Sequence, residues 1–584
     1  CLAVYKVRNM LMGTFEMKLW RLRLALGLGA ERAAGLFQGY PRGSLVTVPP
    51  GDTYDGPPLS CLDELAAAAA ACNWVGEVDA GSNAWVISGD RTASGLPLVA
   101  GDSHRGLDTP NVYYQVHLAC PSFRVSGYAL PGVPGAPHFS HTEYVAWGMT
   151  HGYADYQDLF IERFRDCGGG LEYAWQEHWR AAEITNETLK ARGAAPETLQ
   201  VVATRHGPII AGDPSAGHGL AFSHPGTNSG TPWADTLYDL LRARSADEAE
   251  EALRPWTEPV NNFVYADVHG EFGYRYRGRI PIRPMANAWA AVPGWDGEHE
   301  WQGAVPFEDM PQTRNPSAGY VVTCNQGVAP ADYPYYINTY FGADTRARRV
   351  TARLQGIAPG AATVAHMEAV HADRLSRPAQ ACQRVLAQAP PPADPRIAEA
   401  RDRLLAWDCR MDRDSVAATI YAALRTCWLE EVLRTALGPF ADEAIGTAGI
   451  GRGGPTHALL LYTRAVRAME ANDPAPLPPD QTWPQFMDDA LRRAVADLRQ
   501  RLGDDVHTWQ WGALHRTRPQ HPLSRVFPDS AELLNPPQVP AGGDGDTPLQ
   551  GGSWTPDRFV LTSLSVNRYI HDPADWRRSR WIVP

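Results

Sequence analysis

The clearest strand signal in the chain is the alternation of large and small apolar side chains over residues 84–87. Trp85 and Ile87 would share one face of an extended segment, and a second apolar run at 96–100 follows a Gly-Asp turn. This pattern predicts a hairpin of two buried strands. Ser82 then lies at the start of the first strand, directly after a glycine.

The remaining pattern predicts strands in the first part of the chain and helices in the later part. Apolar residues at three- and four-residue spacing predict helices over 4–28, 30–37, 397–407, 416–437, 457–469 and 483–502. Further strands are predicted around 123–128, 143–147, 199–204, 219–222, 262–267 and 272–278. The chain is therefore predicted to be an α+β protein, with a Pro- and Ala-rich linker before Ser82.

Composition narrows the class of protein. The chain has 584 residues, of which 44% are hydrophobic and 20% charged, as in ordinary globular proteins of several domains. The chain contains no run of about 18 apolar residues, so no transmembrane helix is predicted. The net charge of −12 argues against a nucleic-acid partner. Nine scattered cysteines without a C-x-x-C pair disfavour a metal cluster and a disulfide scaffold, and leave a single disulfide open.

Ser82 is the candidate nucleophile. A serine hydroxyl needs an adjacent base, and cleavage of the 81–82 peptide bond would give Ser82 a free α-amine. An α-amine has a pKa near ~8 and can accept the proton of its own hydroxyl, directly or through one water. Gly81 has no side chain to hinder attack of Ser82 Oγ on its carbonyl. The alternative is a Gly-Ser-Asn turn before an ordinary strand.

Several short motifs follow one another from Ser82 onward in a characteristic order. They are Ser82-Asn83-Ala84-Trp85-Val86, Gly101-Asp102-Ser103-His104-Arg105, His117-Leu118, Pro131-Gly132-Val133-Pro134, Ala146-Trp147-Gly148-Met149-Thr150, Asp155-Tyr156-Gln157-Asp158-Leu159 and Asn262-Phe263-Val264-Tyr265-Ala266-Asp267. In this order they resemble the β chain of the penicillin acylase family, whose members are N-terminal-nucleophile (Ntn) hydrolases. The resemblance implies an αββα four-layer sandwich with an additional helical region.

The resemblance also implies a domain organisation and a partner. Residues 1–45 would be the end of an α chain, 46–81 an excised spacer, and 82–584 a β chain. Within the β chain, 82–345 would form the Ntn core, 346–505 a helical region, and 506–584 further strands and loops. The two chains would pair as a heterodimer after self-cleavage. The family further implies a fragment of a longer precursor, truncated at both ends, and export to the periplasm or medium.

Four further residues receive catalytic roles from the resemblance. Asn262 would donate its side-chain amide to the oxyanion, and the backbone N–H of His151 would be the second donor. His104 would orient the nucleophile, and Arg283 would lie near the α-amine and keep it neutral. By residue type alone, Asn262 fits a turn cap at the start of a strand, and His104 and Arg283 fit surface positions.

The resemblance further implies a structural Ca²⁺ ion. Glu16 in the first helix, together with Asp155, Gln157 and Asp158, would supply oxygen ligands, which Ca²⁺ prefers. The alternative is a solvated acidic loop beside a helix whose glutamate has basic neighbours.

Phe139 and Met10 match positions that line the acyl pocket of the family. An aromatic ring and a methionine favour an apolar acyl group, and both are also ordinary core residues. The substrate class would be small N-acylated molecules, either penicillins or N-acyl homoserine lactones.

Other hydrolase classes lack support in the sequence. The chain contains no Gly-x-Ser-x-Gly, no Ser-x-x-Lys and no His-Glu-x-x-His motif. The remaining alternative is a catalytically inactive relative or a secreted binding protein of the same fold. N-terminal sequencing of the expressed protein would distinguish these, because only the enzyme yields a chain that begins at Ser82.

Overall fold

The computed structural model describes residues 14–36, 81–136, 138–228, 230, 232–330, 332–446, 453–552, 559–561 and 563–582. Its strands form three sheets and are joined by a large helical part, so the α+β prediction is confirmed. Among the described helices, none is both long and apolar enough to cross a membrane.

The first sheet contains the predicted hairpin. Its strands run in the order Tyr320–Thr323, Gly81–Ile87, Leu98–Gly106, Ser563–His571 and Gly551–Gly552, and Arg580–Ile582 pairs with Ser563–His571. The two hairpin strands are antiparallel, with Ala84 opposite Gly101. The prediction of a strand that begins beside Ser82 is confirmed.

The alternation of residues 84–87 places two different cores on the two faces of the first sheet. Trp85 and Ile87 pack beneath the helices Thr345–Gln355 and Val364–His371. Ala84 and Val86 face the other way and belong to the core between the first and second sheets. Small residues on this face let the second sheet approach closely, while the large residues fill the space beneath the helices.

The second sheet packs against the first and carries helices on its far side. Its strand order is Gln312–Arg314, Phe272–Arg277, Asn261–Asp267, Val145–His151, Ser140–Thr142, Phe123–Ala129 and Tyr114–Cys120. Val264 belongs to the core that includes Ala84, whereas Tyr265 points the opposite way and its hydroxyl contacts Glu250 of the helix Ala246–Ala252. The helix Trp233–Arg242 packs on the same outer face.

The third sheet joins the helical part to the rest. Its strand order is Glu183–Leu189, Glu197–Thr204, Gly207–Asp213, His218–Ser223, Asp158–Asp166, Leu171–Trp175 and His178–Ala181, with Val292–Pro293 beside Asp158–Asp166. Side chains of the helix Phe15–Leu28 share one core with Phe222 of this sheet and with the helix Val416–Leu437. The helix Phe15–Leu28 is buried on nearly every side over its first ten residues, including Lys18 and Arg21.

The remaining helices complete the helical part and the loops around it. They are Ala30–Leu36, Pro225–Asn228, Met285–Trp289, Arg377–Leu386, Pro395–Leu405, Ala441–Ile445, Gly453–Ala471, Trp483–Leu502, Trp511–Leu514, Pro522–Val526 and Ala531–Leu534. The predicted helices at 416–437 and 483–502 match the structure at both ends. The predicted helix at 4–28 is confirmed over Phe15–Leu28, since residues before 14 lie outside the described part.

Candidate active site

Ser82 lies buried in the first sheet, beside the peptide bond that it would cleave. Its side chain is 6% exposed. Its Oγ donates to the carbonyl oxygen of Gly81, and its backbone N–H donates to Asn325 Oδ1 at 2.8 Å. The hydroxyl is therefore held next to the carbonyl group of the 81–82 bond, as self-cleavage requires.

Arg346, at the start of the helix Thr345–Gln355, fixes both the strand and Asn325. Its guanidinium donates to the carbonyl oxygen of Ser82 at 2.7 Å and to Asn83 Oδ1 at 2.6 Å. It also donates to Asn325 Oδ1 at 3.0 Å, the same atom that accepts from the Ser82 N–H. Asn325 Oδ1 thus links the buried guanidinium of Arg346 to the nitrogen of Ser82, which would become the α-amine.

His104 lies directly across the hairpin from Gly81. Its Nε2 is 3.2 Å from Asp102 Oδ2 and 3.2 Å from Asn83 Nδ2, so the ring is held from one side. Burial lowers the pKa of His104, although the carboxylate of Asp102 opposes this effect. The ring Nδ1 faces Gly81, and the role of His104 in orienting the nucleophile stays a prediction.

Asn262 is completely buried on the second sheet and faces the first. Its Nδ2 donates to Thr150 Oγ1 at 2.9 Å and to the carbonyl oxygen of His151 at 3.1 Å, while its Oδ1 accepts from Tyr274 at 2.7 Å. The Tyr274 bond fixes which end of the amide points inward, so the N–H groups and not the oxygen face the site.

The carbonyl oxygen of His151 links the nucleophile to Asn262. It accepts from Asn262 Nδ2 and also from Asn325 Nδ2 at 3.0 Å, and Asn325 in turn accepts from the Ser82 N–H.

The predicted use of the His151 N–H as an oxyanion donor stays a prediction. Burial lowers the pKa of the His151 imidazole to about 4, and the charge of Arg105 adds to this effect.

Replacing Gly81 by alanine is expected to slow self-cleavage about tenfold or more. A Cβ at this position would lie 3.0 Å from His104 Nδ1 and 3.4 Å from both Arg346 and Asn325, so the scissile peptide would shift. The measurement is the fraction of uncut precursor over time on denaturing gels. Gly106→Ala is the control, because a Cβ there meets nothing within 4 Å. Processing of Gly81→Ala at the wild-type rate would contradict the geometry.

Arg283, which was predicted to lie near the α-amine, contacts two carboxylates in the structure and makes no hydrogen bond to Ser82. Arg283 forms ion pairs with Asp158 at 2.6 Å and with Asp155 at 3.0 Å, and it donates to the backbone carbonyl of Asp155. The charges of the two carboxylates outweigh burial and raise the pKa of Arg283. Arg346 occupies the place that the sequence resemblance gave to Arg283.

The predicted Ca²⁺ ligands are brought together only in part, and they do not fit the ion. Asp155 and Asp158 are both ion-paired with Lys18 and with Arg283. Burial alone would raise the pKa of Asp158, but the charges of Arg283 and Lys18 outweigh it and lower that pKa. Within the described residues, no group of three or more His, Cys, Asp or Glu side chains is arranged to hold a metal.

Phe139 lies in an aromatic cluster between the two sheets. It is 2% exposed, stacks on Tyr569 at 5.0 Å between ring centroids and meets Tyr113 edge-on at 5.5 Å. The Tyr569 hydroxyl reaches the backbone of Gly101 and Gly148, where a Cβ would clash. The cluster therefore extends to the strands on which the site is built. Met10 lies outside the described residues.

Three residues that contact the site, Arg346, Asn325 and Tyr274, were not identified from the sequence. Asn325 has a backbone φ of 72°, a conformation that asparagine tolerates better than most residues, and it follows the strand Tyr320–Thr323. An asparagine at the end of an apolar strand was a signal that could have identified it. Arg346 gave no such signal, since the chain is rich in arginine.

This fold and this site define the class of protein. The family model for penicillin amidase matches residues 1–584. The chain therefore belongs to the penicillin amidase family, a class of hydrolases that act on amide bonds.

Two curated relatives and one solved structure give the comparison its detail. The chain is 35% identical to the penicillin acylase 2 proenzyme of Pseudomonas sp. (strain SE83), over all of this chain and 74% of that protein. It is 28% identical to the acyl-homoserine lactone acylase QuiP of Pseudomonas aeruginosa, over 90% of this chain and 66% of that protein. A thermostable penicillin G acylase from Alcaligenes faecalis matches with a TM-score of 0.61 at 21% identity, over 84% of this chain and 87% of that one, and shares the fold.

Proposed function

We propose that this protein is a self-processing amidohydrolase with the αββα architecture of Ntn hydrolases. It would hydrolyse the acyl amide bond of a small N-acylated substrate through an acyl-serine intermediate. The observation that carries the proposal is the placement of Ser82, with Oγ on the Gly81 carbonyl and N–H on the Asn325 amide. The word proenzyme in the name of the penicillin acylase 2 relative supports self-processing.

In the first reaction, Ser82 Oγ would attack the carbonyl carbon of Gly81. The peptide C–N bond breaks as the C–O bond forms, the nitrogen takes the hydroxyl proton, and water then hydrolyses the resulting ester. The products are an α chain that ends upstream of Ser82 and a β chain that begins with its free amine. The two chains would remain together as a heterodimer, since the helix Phe15–Leu28 packs in a core shared with strands and helices downstream of Ser82.

In the second reaction, the α-amine of Ser82 would act as the base. It takes the Oγ proton as Oγ attacks the acyl carbon of the substrate, and it gives that proton to the leaving amine. Asn262 Nδ2 would stabilise the oxyanion by giving up one of its present acceptors, Thr150 or the His151 carbonyl, in exchange for the substrate oxygen. Water releases the acyl group by the same steps in reverse order.

The aromatic cluster of Tyr113, Phe139 and Tyr569 supports an apolar acyl group. The names of the two curated relatives support two substrate classes, penicillins and acyl-homoserine lactones. Export to the periplasm is a further part of the proposal and is supported by the family resemblance alone.

The experiment that tests the proposed function combines mass spectrometry with a substrate panel. The full-length protein is expressed, its chains are identified by intact mass and N-terminal sequencing, and it is incubated with penicillin G and with N-acyl homoserine lactones of increasing chain length. We expect a chain that begins at Ser82 and release of a primary amine from at least one class. A folded single chain without amine release would instead indicate an inactive relative or a binding protein.

Removal of the positive charge at Arg346 is expected to move the acid limb of the pH–rate profile to higher pH. A nearby cation disfavours protonation of the Ser82 amine, so Arg346→Met should raise the amine pKa, by about one unit. Activity requires the unprotonated amine, so the limb of kcat/KM against pH follows that pKa upward and activity near pH 6.5 falls.

Two variants control for other effects of the Arg346 substitution. Arg346→Lys keeps the charge and should keep the limb near its wild-type position. Arg348→Met lies on the same helix, where Arg348 pairs with Asp344 at 2.8 Å on the exposed side, and should leave the profile unchanged. An unshifted limb in processed Arg346→Met would exclude the electrostatic role.

A further inference from the structure

The carboxylates predicted to bind Ca²⁺ have an ammonium group between them. Lys18 Nζ lies 2.6 Å from Asp158 Oδ1 and 3.0 Å from Asp155 Oδ1, and it also donates to the backbone carbonyl of Gln157. Lys18 is 1% exposed, and the two carboxylates are equally inaccessible. These two carboxylates and this carbonyl are the oxygens expected around the ion, so the lysine nitrogen occupies the position expected for Ca²⁺.

A second cation closes the other side of the same cluster. Arg283 contacts the remaining oxygen of each carboxylate, Asp158 Oδ2 at 2.6 Å and Asp155 Oδ2 at 3.0 Å. Two positive and two negative side chains leave the cluster formally neutral. Neutral donors complete the set, with Tyr336 on Asp155 Oδ2 at 3.1 Å and Trp301 on Asp158 Oδ2 at 2.6 Å.

This arrangement conflicts with a Ca²⁺ site in both charge and ligand number. Ca²⁺ takes six to eight oxygen ligands and depends on uncompensated carboxylates. Here every carboxylate oxygen already contacts a cation, and a divalent ion would have to displace Lys18 from three oxygens. Glu16, the fourth predicted ligand, lies about 200° around the helix axis from Lys18, whose side of the helix faces Asp158.

We infer that Lys18 and Arg283 replace the divalent ion, and that this protein holds the helix Phe15–Leu28 to the segment 155–158 by a metal-independent ion-pair joint. Thr14 adds to the joint, because its hydroxyl donates to Asp155 Oδ1. After the proposed cleavage, Lys18 would belong to the α chain and its partners to the β chain. The inference does not rest on that cleavage, since it concerns contacts present in the uncut chain.

The first test measures the metal response of the wild-type protein. Thermal unfolding of the full-length protein is followed in excess EDTA and in millimolar CaCl2, and bound Ca²⁺ is measured by equilibrium dialysis. We expect the same Tm in both solutions and no bound Ca²⁺. A Tm that falls in EDTA and recovers with CaCl2, together with bound Ca²⁺, would overturn the inference whether or not the protein cleaves itself.

The second test removes the ammonium group. Lys18→Ala leaves two buried carboxylates with one cation, so its Tm should fall by about 5 °C or more. It also vacates a position that faces three oxygens, so CaCl2 should raise the Tm of this variant and not that of the wild type. Arg23→Ala is the matched control on the same helix, because Arg23 pairs with Glu443 at 2.7 Å in a partly exposed position. A Tm loss in Lys18→Ala no larger than in Arg23→Ala would contradict the joint.

Discussion

Ser82→Ala is expected to yield a single uncut chain without measurable amidase activity, a loss of at least about 10⁴-fold. Alanine removes the hydroxyl that donates to the Gly81 carbonyl oxygen, and with it the nucleophile of both proposed reactions. Intact mass shows the failure of cleavage, and amine release from the best substrate shows the loss of activity.

Ser103→Ala is the matched control for Ser82→Ala. Ser103 lies directly across the hairpin from Ser82 and is equally buried, but its hydroxyl contacts Asn567 and not the scissile carbonyl. This variant should be cleaved and active. If Ser82→Ala protein were processed and turned over substrate, the nucleophile would have to be sought elsewhere.

Asn262→Ala is expected to lower kcat by about 10²–10³-fold, with a smaller effect on KM. The amide of Asn262 is oriented by Tyr274 so that its N–H groups face the site, and alanine removes the donor that would stabilise the oxyanion. Processing should slow as well, because self-cleavage passes through an oxyanion of its own. Steady-state kinetics on the fraction of the variant that has been processed separates the two effects.

Asn261→Ala tests whether any asparagine lost from this strand would have the same effect. Successive side chains of a strand point to opposite faces, and Asn261 Oδ1 accepts from Arg277 at 3.2 Å. Its kcat should stay within a few fold of wild type. Equal losses in the two variants would show that strand stability, and not oxyanion stabilisation, explains the result.

Local patterns predicted the strands that carry Ser82 and Asn262, but not the strand Tyr320–Thr323 or the helix Thr345–Gln355, which position Asn325 and Arg346. The alternation at 84–87 predicted the hairpin, and three- and four-residue spacing predicted the helices Val416–Leu437 and Trp483–Leu502 at their exact bounds. These predictions succeed because side-chain direction repeats every two residues in a strand and every 3.6 in a helix. The strand Asp158–Asp166 was not predicted, and its first residue, Asp158, was assigned only as a Ca²⁺ ligand.

The cationic partners could not be predicted from local patterns. Arg346 contacts a carbonyl 264 residues away, and Lys18 contacts a carboxylate 140 residues away. The resemblance placed Arg283 beside the amine and Ca²⁺ among the carboxylates, and neither placement agrees with the contacts found.

The sequence by itself predicted Ser82 as the candidate nucleophile, with the glycine before it and the two hairpin strands, and the motifs along the chain identified the family. Only the tertiary structure decided which positive charge faces Ser82 and which neutralises Asp155 and Asp158. The physical reason is that a long cationic side chain reaches many alternative acceptors. Its partner is therefore selected by the packing of helices and sheets around it, and not by its neighbours in the chain.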